Sequence, residues 1–381
     1  MPLTRSRPAH AAASKVRKTP RPAPPTTAGR PSRSSSPGRA LEGKTLLVTG
    51  GAGFIGSNFI RGLLGRFRNI RIINLDKLTY AGNLDNLADL AGDTRHEFIH
   101  GDIRDAVLVR AILERVQGIV HFAAETHVDR SILSGGEFVL TDVHGTYVLL
   151  EAARLAPHIE FFLHVSTDEV YGSRPRGFFK ETDALNPSSP YSASKTGADR
   201  LVHAFHVTYG TPALIVRPSN NYGPFQHPEK FIPLFVTRAL EGKPLPLYGR
   251  GRNVRDWLHV EDNCRAIETV IRRGEPGRAY NVGANDERRN IEVAERIVAL
   301  LGKPRDLIAF VPDRAGHDQR YAVDCRRVRA LGWRPQIGFE EGLERTVRWY
   351  IENQPWWRKI KEKSAEYKRF YEEYYKDRAS D

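Results

Sequence analysis

The stretch TLLVTGGAGFIGSNFI, residues 45–60, decides the fold. A short apolar run ends in Gly50-Gly51-Ala52-Gly53-Phe54-Ile55-Gly56, and a helical pattern follows near 54–65. Gly50 permits a tight turn, Gly53 lets backbone N–H groups approach a pyrophosphate, and Gly56 lets the helix lie close on the strand. The helix N-terminus adds free N–H donors and the positive end of its dipole. A glycine triplet alone also suits an ordinary tight turn. Here it follows a strand, opens a helix and starts the first βα unit, which makes it a dinucleotide fingerprint.

Outward from this stretch, apolar runs recur at 45–50, 70–76, 97–102, 118–124, 159–166 and 212–218. Helix-like segments near 54–65, 105–116, 136–156 and 191–209 separate them. Strands alternating with helices predict an α/β fold: a Rossmann-type, doubly wound parallel sheet with right-handed crossovers. After Pro218 the alternation breaks down, with helices near 229–241, 261–273, 290–302 and 339–353. The expected division is a basic extension over 1–42, a nucleotide-binding domain over 43–218, a smaller interleaved domain over 219–354, and a helical tail over 355–381. Tyr367, Phe370, Tyr371 and Tyr374 give that tail one aromatic helical face.

Composition excludes several classes. The chain has 381 residues, 40% hydrophobic and 27% charged, as a globular enzyme has. No run approaches the ~20 apolar residues of a membrane-spanning helix. Cys264 and Cys325 stand far apart, which excludes a disulfide framework and points to a reducing, cytoplasmic setting. The net charge of +13 resembles a nucleic-acid signal until it is located. Residues 1–40 hold nine basic residues and no acid, so the rest carries an excess of only four. That segment is Pro-, Ser- and Arg-rich, with too little apolar surface to build a core. No His or carboxylate pair has metal-ligand spacing.

Asp76 ends the second run, twenty residues past Gly56, where a carboxylate accepts from ribose hydroxyls and repels a 2′-phosphate. This favours NAD over NADP. Asp102, ending the third run, is a candidate for the adenine edge. Tyr191 and Lys195 stand four apart, on one face of a helix. An ammonium near a phenol lowers its pKa, so Tyr191 could take a proton from an alcohol as hydride leaves the same carbon. Ser166-Thr167 ends a strand at the sheet's carboxyl edge. Together these features resemble the extended short-chain dehydrogenase/reductase superfamily, whose members act on nucleotide-sugars. Next come Asp168 and Glu169, paired carboxylates suited to one general acid and one general base. Epimerases of that superfamily do not need such a pair; an enzyme that eliminates water does.

The chain is similar to the dTDP-glucose 4,6-dehydratase family over residues 43–357. The resemblance rests on GGAGFIGSNFI, DKLTYAGNLDNL, AAETHVDRSI, STDEVYG, PYSASK, RPSNNYGPFQHPEKFIPLF, NVRDWLHVEDN and DRAGHDQRYAVD, in order. Thr126 stands where the family usually has Ser, and Ala315 where it usually has Pro. The resemblance implies dehydration of dTDP-glucose by internal hydride transfer through tightly held NAD. In that scheme Tyr191, with Thr167 and Lys195, deprotonates the 4-hydroxyl, Glu169 removes the C5 proton, and Asp168 protonates the departing 6-hydroxyl. It implies an NAD lining of Gly50, Gly53, Phe54, Ile55, Gly56, Asp76, Lys77, Leu78, Thr79, Asp102, Ile103, Ala124, Thr141, Tyr191, Lys195 and Asn221. The nucleotide-sugar would meet Thr126, Glu169, Asn220, Lys230, Phe231, Pro246, Tyr248, Arg255, Asn290, Arg314 and His317. It further implies a homodimer through the helices near 136–156 and 191–209. A UDP-glucose 4,6-dehydratase, a 4-epimerase and a decarboxylase are the alternatives; Asp168-Glu169 argues against the last two. A nucleic-acid-binding role is disfavoured by the near-neutral body.

Overall fold

The computed structural model of the chain describes residues 38–313 and 316–363. Its strands, in chain order, are β1 (Thr45–Thr49), β2 (Arg71–Asp76), β3 (His96–His100), β4 (Gly118–His121), β5 (Phe161–Val165), β6 (Ala213–Pro218), β7 (Asn220–Tyr222), β8 (Leu245–Tyr248), β9 (Val254–His259), β10 (Ala279–Val282), β11 (Glu287–Arg289) and β12 (Ile308–Val311). Among the described residues, seven of them form a sheet ordered β10-β6-β5-β4-β1-β2-β3. Every neighbouring pair in it is parallel. The chain steps outward from β1 to β3, then returns to lay β4 on the other side of β1. That reversal opens a crevice at the carboxyl ends of β1 and β4, where open α/β sheets take ligands.

Both faces of the sheet are covered, so its central strands are uniformly apolar. Leu46 and Val48 pack with Phe59 and Leu63 of helix Phe54–Arg66 and with Ile267 of helix Val260–Arg273. Leu47 and Ile119 face the other way, onto Ile112, Leu149 and Val202. A third apolar layer joins Phe235, Trp257, Ile297, Tyr350 and Trp357, all after Pro218. There β7, β9 and β11 form a small sheet, and β8 pairs with β12.

The structure departs from the sequence reading in three places. The helix expected over 136–156 is broken: a π-helical stretch, Val139–Gly145, separates a short first turn from helix Thr146–Arg154. Past Pro218 the large sheet gains one more strand, β10, whose four residues are too few for a periodic signal. The body also begins before Gly43. Arg39 donates from its backbone N–H to Arg272 and from its guanidinium to the carbonyls of Ile271 and Gly274, and Leu41 is buried. Of the expected C-terminal tail, Gln354–Lys363 is helical. Residues 1–37 of the basic extension, and 364–381 of the tail with its aromatic face, lie outside the described residues. Among the described residues no helix is long and apolar enough to cross a membrane.

Candidate active site

The glycine turn is built as a cradle that side chains would fill. A Cβ on Gly50, whose φ is +70°, would lie 2.6 Å from the amide nitrogen of Ala123. One on Gly56 would lie 2.3 Å from the carbonyl of Gly50, inside the strand–helix contact. Gly53 is the N-cap of helix Phe54–Arg66 and brings no side chain to satisfy its first N–H groups, which leaves them to a ligand. The cleft above, of about 220 Å³, is lined by Gly50, Gly53, Phe54, Ile55, Gly56, Asp76, Lys77, Thr79, Asp102, Ile103, Ala124, Thr126, Thr141, Tyr191, Lys195 and Lys230. These residues fit a dinucleotide.

Asp76 is fixed at the edge of this cleft. Its carboxylate accepts from the N–H of Ala52 at 2.9 Å and from that of Leu78 at 2.8 Å. Burial raises its pKa, and the two N–H donors oppose that rise. The remaining lone pairs can take ribose hydroxyls. Asp102 is bound by Lys77 at 2.9 Å and by Arg104 at 2.8 Å, so it lines the cleft as part of an ion-paired rim. Leu78 contributes its backbone to Asp76 and its side chain to the core, and does not line the cleft. Asn221 donates to the carbonyl of Ser219 and also lies off the lining.

Local sequence signals set the helix that carries Tyr191 and Lys195. Ser189 caps it in a reciprocal box with Ser192, Pro190 opens its first turn, and Gly210 closes it in the left-handed conformation. Lys195 is buried and donates to the carbonyl of Val165 at 2.8 Å, at the end of β5. Thr167, two residues on, caps the 3₁₀ turn Asp168–Tyr171 by accepting from the N–H of Glu169, and it acts electrostatically on the Tyr191 hydroxyl. A buried network holds turn and helix together. Arg217 of β6 forks onto Asp199 of the helix at 2.8 Å and reaches the Tyr171 hydroxyl at 2.6 Å, which donates to Asn281 of β10 at 2.8 Å.

Electrostatics separates the adjacent carboxyl groups. Asp168 is buried, and burial together with the charges of Glu169 and Asp256 pushes its pKa well above the usual carboxylate range, which favours its protonated form. Glu169 instead faces a second cavity, of about 190 Å³. The sequence reading expected Lys195 to lower the pKa of Tyr191. In the structure burial, then Glu169, Asp142 and Asp168, raise it, so the positive charge that favours the phenolate must act against these neighbours.

The second cavity gathers Asn220, Lys230, Phe231, Pro246, Tyr248, Arg255, Asn290 and His317 around Glu169. The guanidinium of Arg255 is held by the carbonyls of Val254 and Asp318 and lies 4.2 Å from the centre of the Tyr321 ring. Tyr248 donates to Asp129 at 3.1 Å and meets His317 edge-on. Thr126 lies in the first cleft, but its hydroxyl accepts from Lys230 at 3.2 Å, across the wall between the two. Arg314 is outside the described residues. A dinucleotide cleft and a cation-bearing cavity thus meet at a Tyr–Lys–Thr set flanked by a buried acid and a cavity-facing carboxylate.

Known proteins are similar to this chain in sequence and fold. The family model described as GDP-mannose 4,6 dehydratase matches residues 47–346. A dTDP-glucose 4,6-dehydratase of Xanthomonas campestris pv. campestris (strain B100) is 53% identical over 333 residues, covering 82% of this chain and 94% of the relative. The dTDP-glucose 4,6-dehydratase 1 of Escherichia coli K12 is 46% identical over 361 residues, 87% of this chain and 99% of the relative. The crystal structure of DesIV from Streptomyces venezuelae, a dTDP-glucose 4,6-dehydratase with NAD and TYD bound, matches with a TM-score of 0.81 at 51% identity, over 83% of this chain and 99% of that one. The chain belongs to the 4,6-dehydratase family of extended short-chain dehydrogenases/reductases.

Within this 4,6-dehydratase framework, sequence reasoning missed Asp142. The π-helical stretch turns its carboxylate inward, where it accepts from Ser194 at 2.6 Å and from the N–H of Glu125 at 2.8 Å. Burial raises its pKa to about 7, and the Lys195 ammonium opposes that rise. The signal available was an acid at the middle of a mainly apolar helical run, with Glu137 and Glu151 at its two ends. Glu229, considered below, was passed over beside the more conspicuous Lys230. Among the described residues no group of three His, Cys, Asp or Glu side chains has metal-binding geometry.

Proposed function

We propose that this chain dehydrates dTDP-glucose to dTDP-4-keto-6-deoxy-glucose, with NAD held in the glycine-cradled cleft through the whole cycle. The observation that carries the reading is the Asp168–Glu169 pair: a buried carboxyl, its pKa pushed up by burial, next to a carboxylate open to the cavity. Elimination of water needs both functions at once.

Tyr191 accepts the proton of the sugar 4-hydroxyl, and Thr167 hydrogen-bonds that oxygen. Lys195, fixed on Val165, contributes positive charge beneath them. When bound, NAD supplies the hydride acceptor and later donor, and in its oxidised form a cationic ring. Once C4 is a ketone the C5 hydrogen is acidic, and Glu169 removes it. Asp168 gives its proton to the departing 6-hydroxyl. Asp76 selects NAD by accepting from ribose hydroxyls and repelling a 2′-phosphate. Arg255, Lys230 and Arg314 meet the diphosphate, for which guanidinium forks are suited.

The residues over 43–218 act as the cofactor domain, and those over 219–354 supply most of the sugar-nucleotide cavity. A homodimer completes the molecule in a cytoplasmic setting. Its support is a set of exposed apolar side chains on the helices named for that role: Val139, Leu140, Tyr147, Leu155, Val207 and Tyr209. Incubation with dTDP-glucose and UDP-glucose separately tests the reading. The alkali-induced absorbance of a 4-keto-6-deoxy product should rise with dTDP-glucose and far more slowly with UDP-glucose; equal rates would overturn the choice of nucleotide.

A further inference from the structure

The wall between the two cavities is built around one buried carboxylate, Glu229. Its side chain is 2% exposed. The guanidinium of Arg130 forks onto it at 3.0 and 3.1 Å, and Nδ1 of His227 lies 3.6 Å away. Above the same guanidinium, at 3.9 Å, sits the ring of Tyr80. Tyr80 meets His227 edge-on at 5.5 Å, and its hydroxyl donates to the carbonyl of Thr126, so its link to Glu229 runs through the shared Arg130 guanidinium. Lys230 closes the circle by donating to the Thr126 hydroxyl at 3.2 Å.

These contacts join three segments far apart in sequence. Tyr80 stands between Thr79 and Ala81, which line the cofactor cleft beside Asp76. Arg130 follows Thr126 and His127, and the backbone of His127 has a φ of +111°, a costly conformation for a non-glycine residue. Glu229 precedes Lys230, whose side chain lines both cavities. A buried carboxylate is expensive unless paired, and both Arg130 contacts fall on Oε2, which ties that oxygen to one arrangement. Losing the carboxylate would remove an ion pair that Arg130 makes in the interior.

We infer that Glu229, with Arg130 and Tyr80, is a positioning unit that couples the loop over the cofactor to occupation of the sugar-nucleotide cavity. Nucleotide in the second cavity orders Lys230 and, through Glu229 and Tyr80, tightens the loop that follows Asp76. NAD is thereby retained while the sugar is oxidised and reduced. This inference rests on the proposed function for the identity of the two ligands.

The test follows release of radiolabelled NAD from the full chain into excess unlabelled NAD, with and without dTDP. In the wild type dTDP should slow release about tenfold or more, a usual size for coupling between sites. Tyr80→Phe, with an unchanged melting temperature, and Glu229→Gln, assayed below its lowered one, should bind dTDP yet lose most of that slowing. Arg130→Lys, which keeps charge without the fork, should fall between. In turnover Glu229→Gln should leave free NADH in solution. Equal slowing in wild type and Tyr80→Phe, or a wild type that binds both ligands without any slowing, overturns the coupling and leaves the proposed function standing. A wild type that binds neither NAD nor dTDP sinks the proposed function itself. If Glu229→Gln does not fold, Tyr80→Phe and Arg130→Lys decide the matter, because both keep the buried charge pair.

Discussion

Asp168 and Glu169 are neighbours in the chain and opposites in surroundings, and the chemistry follows from that difference. The strand-end turn buries one carboxyl and turns the other to the cavity. Glu169→Gln keeps the shape and removes the carboxylate proposed as base. It should bind dTDP-glucose normally and lose ~10²–10⁴-fold in product formation, as read by the alkali assay. Normal turnover would show that another group takes the C5 proton. Asp76→Ala should narrow the preference for NAD over NADP, measured as relative occupancy after denaturation, because the charge that repels a 2′-phosphate is gone. At this scale most of the site was legible in the sequence, since Gly50, Asp76, Tyr191 and Lys195 sit at fixed offsets from a strand or along one helix. Asp142 and Glu229 were not. Their importance comes from which segments fold against them, and no local spacing encodes that.

Among elements, the π-helical stretch and the β4–β5 pair show what periodicity cannot carry. A single inserted residue in a helix leaves the apolar pattern almost intact, yet it swings Asp142 beneath the Tyr191 helix. On the paired strands His121 lies beside His164 at the centre of the sheet, with both rings buried. One ring nitrogen of His121 meets Thr49 at 2.7 Å and the other meets Thr146 at 2.9 Å, which suits a neutral imidazole. Burial pushes its pKa down to about 3, and the nearby Lys195 charge adds to the shift. The sign follows directly. Between its ordinary pKa of about 6.5 and about 3, only the unfolded chain takes up the proton, so stability falls as pH falls. From pH 7 to pH 5 this one group should remove about 2 kcal/mol. Urea unfolding of wild type and His121→Gln at the two pH values checks it: the variant should lose about that much of the pH dependence, and an unchanged slope would mean that burial does not shift this imidazole.

For the whole molecule, the alternation of runs up to Pro218 was enough to read the doubly wound sheet, because each βα unit repeats the same apolar spacing. What lies beyond was less legible: β10 returns to the sheet after a long excursion, and its place depends on pairing with β6. The start of the body was likewise misread, since composition alone cannot show that Arg39 caps the end of helix Val260–Arg273. Deleting residues 1–37 should leave the melting temperature unchanged, while deleting 1–42 should cost about 2–4 kcal/mol through loss of Leu41 burial and the Arg39 hydrogen bonds. Equal melting curves for the two truncations would show that this docking contributes nothing. The central claim is that this fold brings a Tyr–Lys–Thr set and a separated acid–base pair onto one sugar, for elimination of water. The most direct measurement is the reaction of the full chain with dTDP-glucose in D₂O, read by NMR and mass spectrometry. The account predicts a 4-keto-6-deoxy product with one solvent deuterium at C5. Recovery of a C4 epimer that keeps its 6-hydroxyl, or a dehydrated product without deuterium at C5, would contradict it.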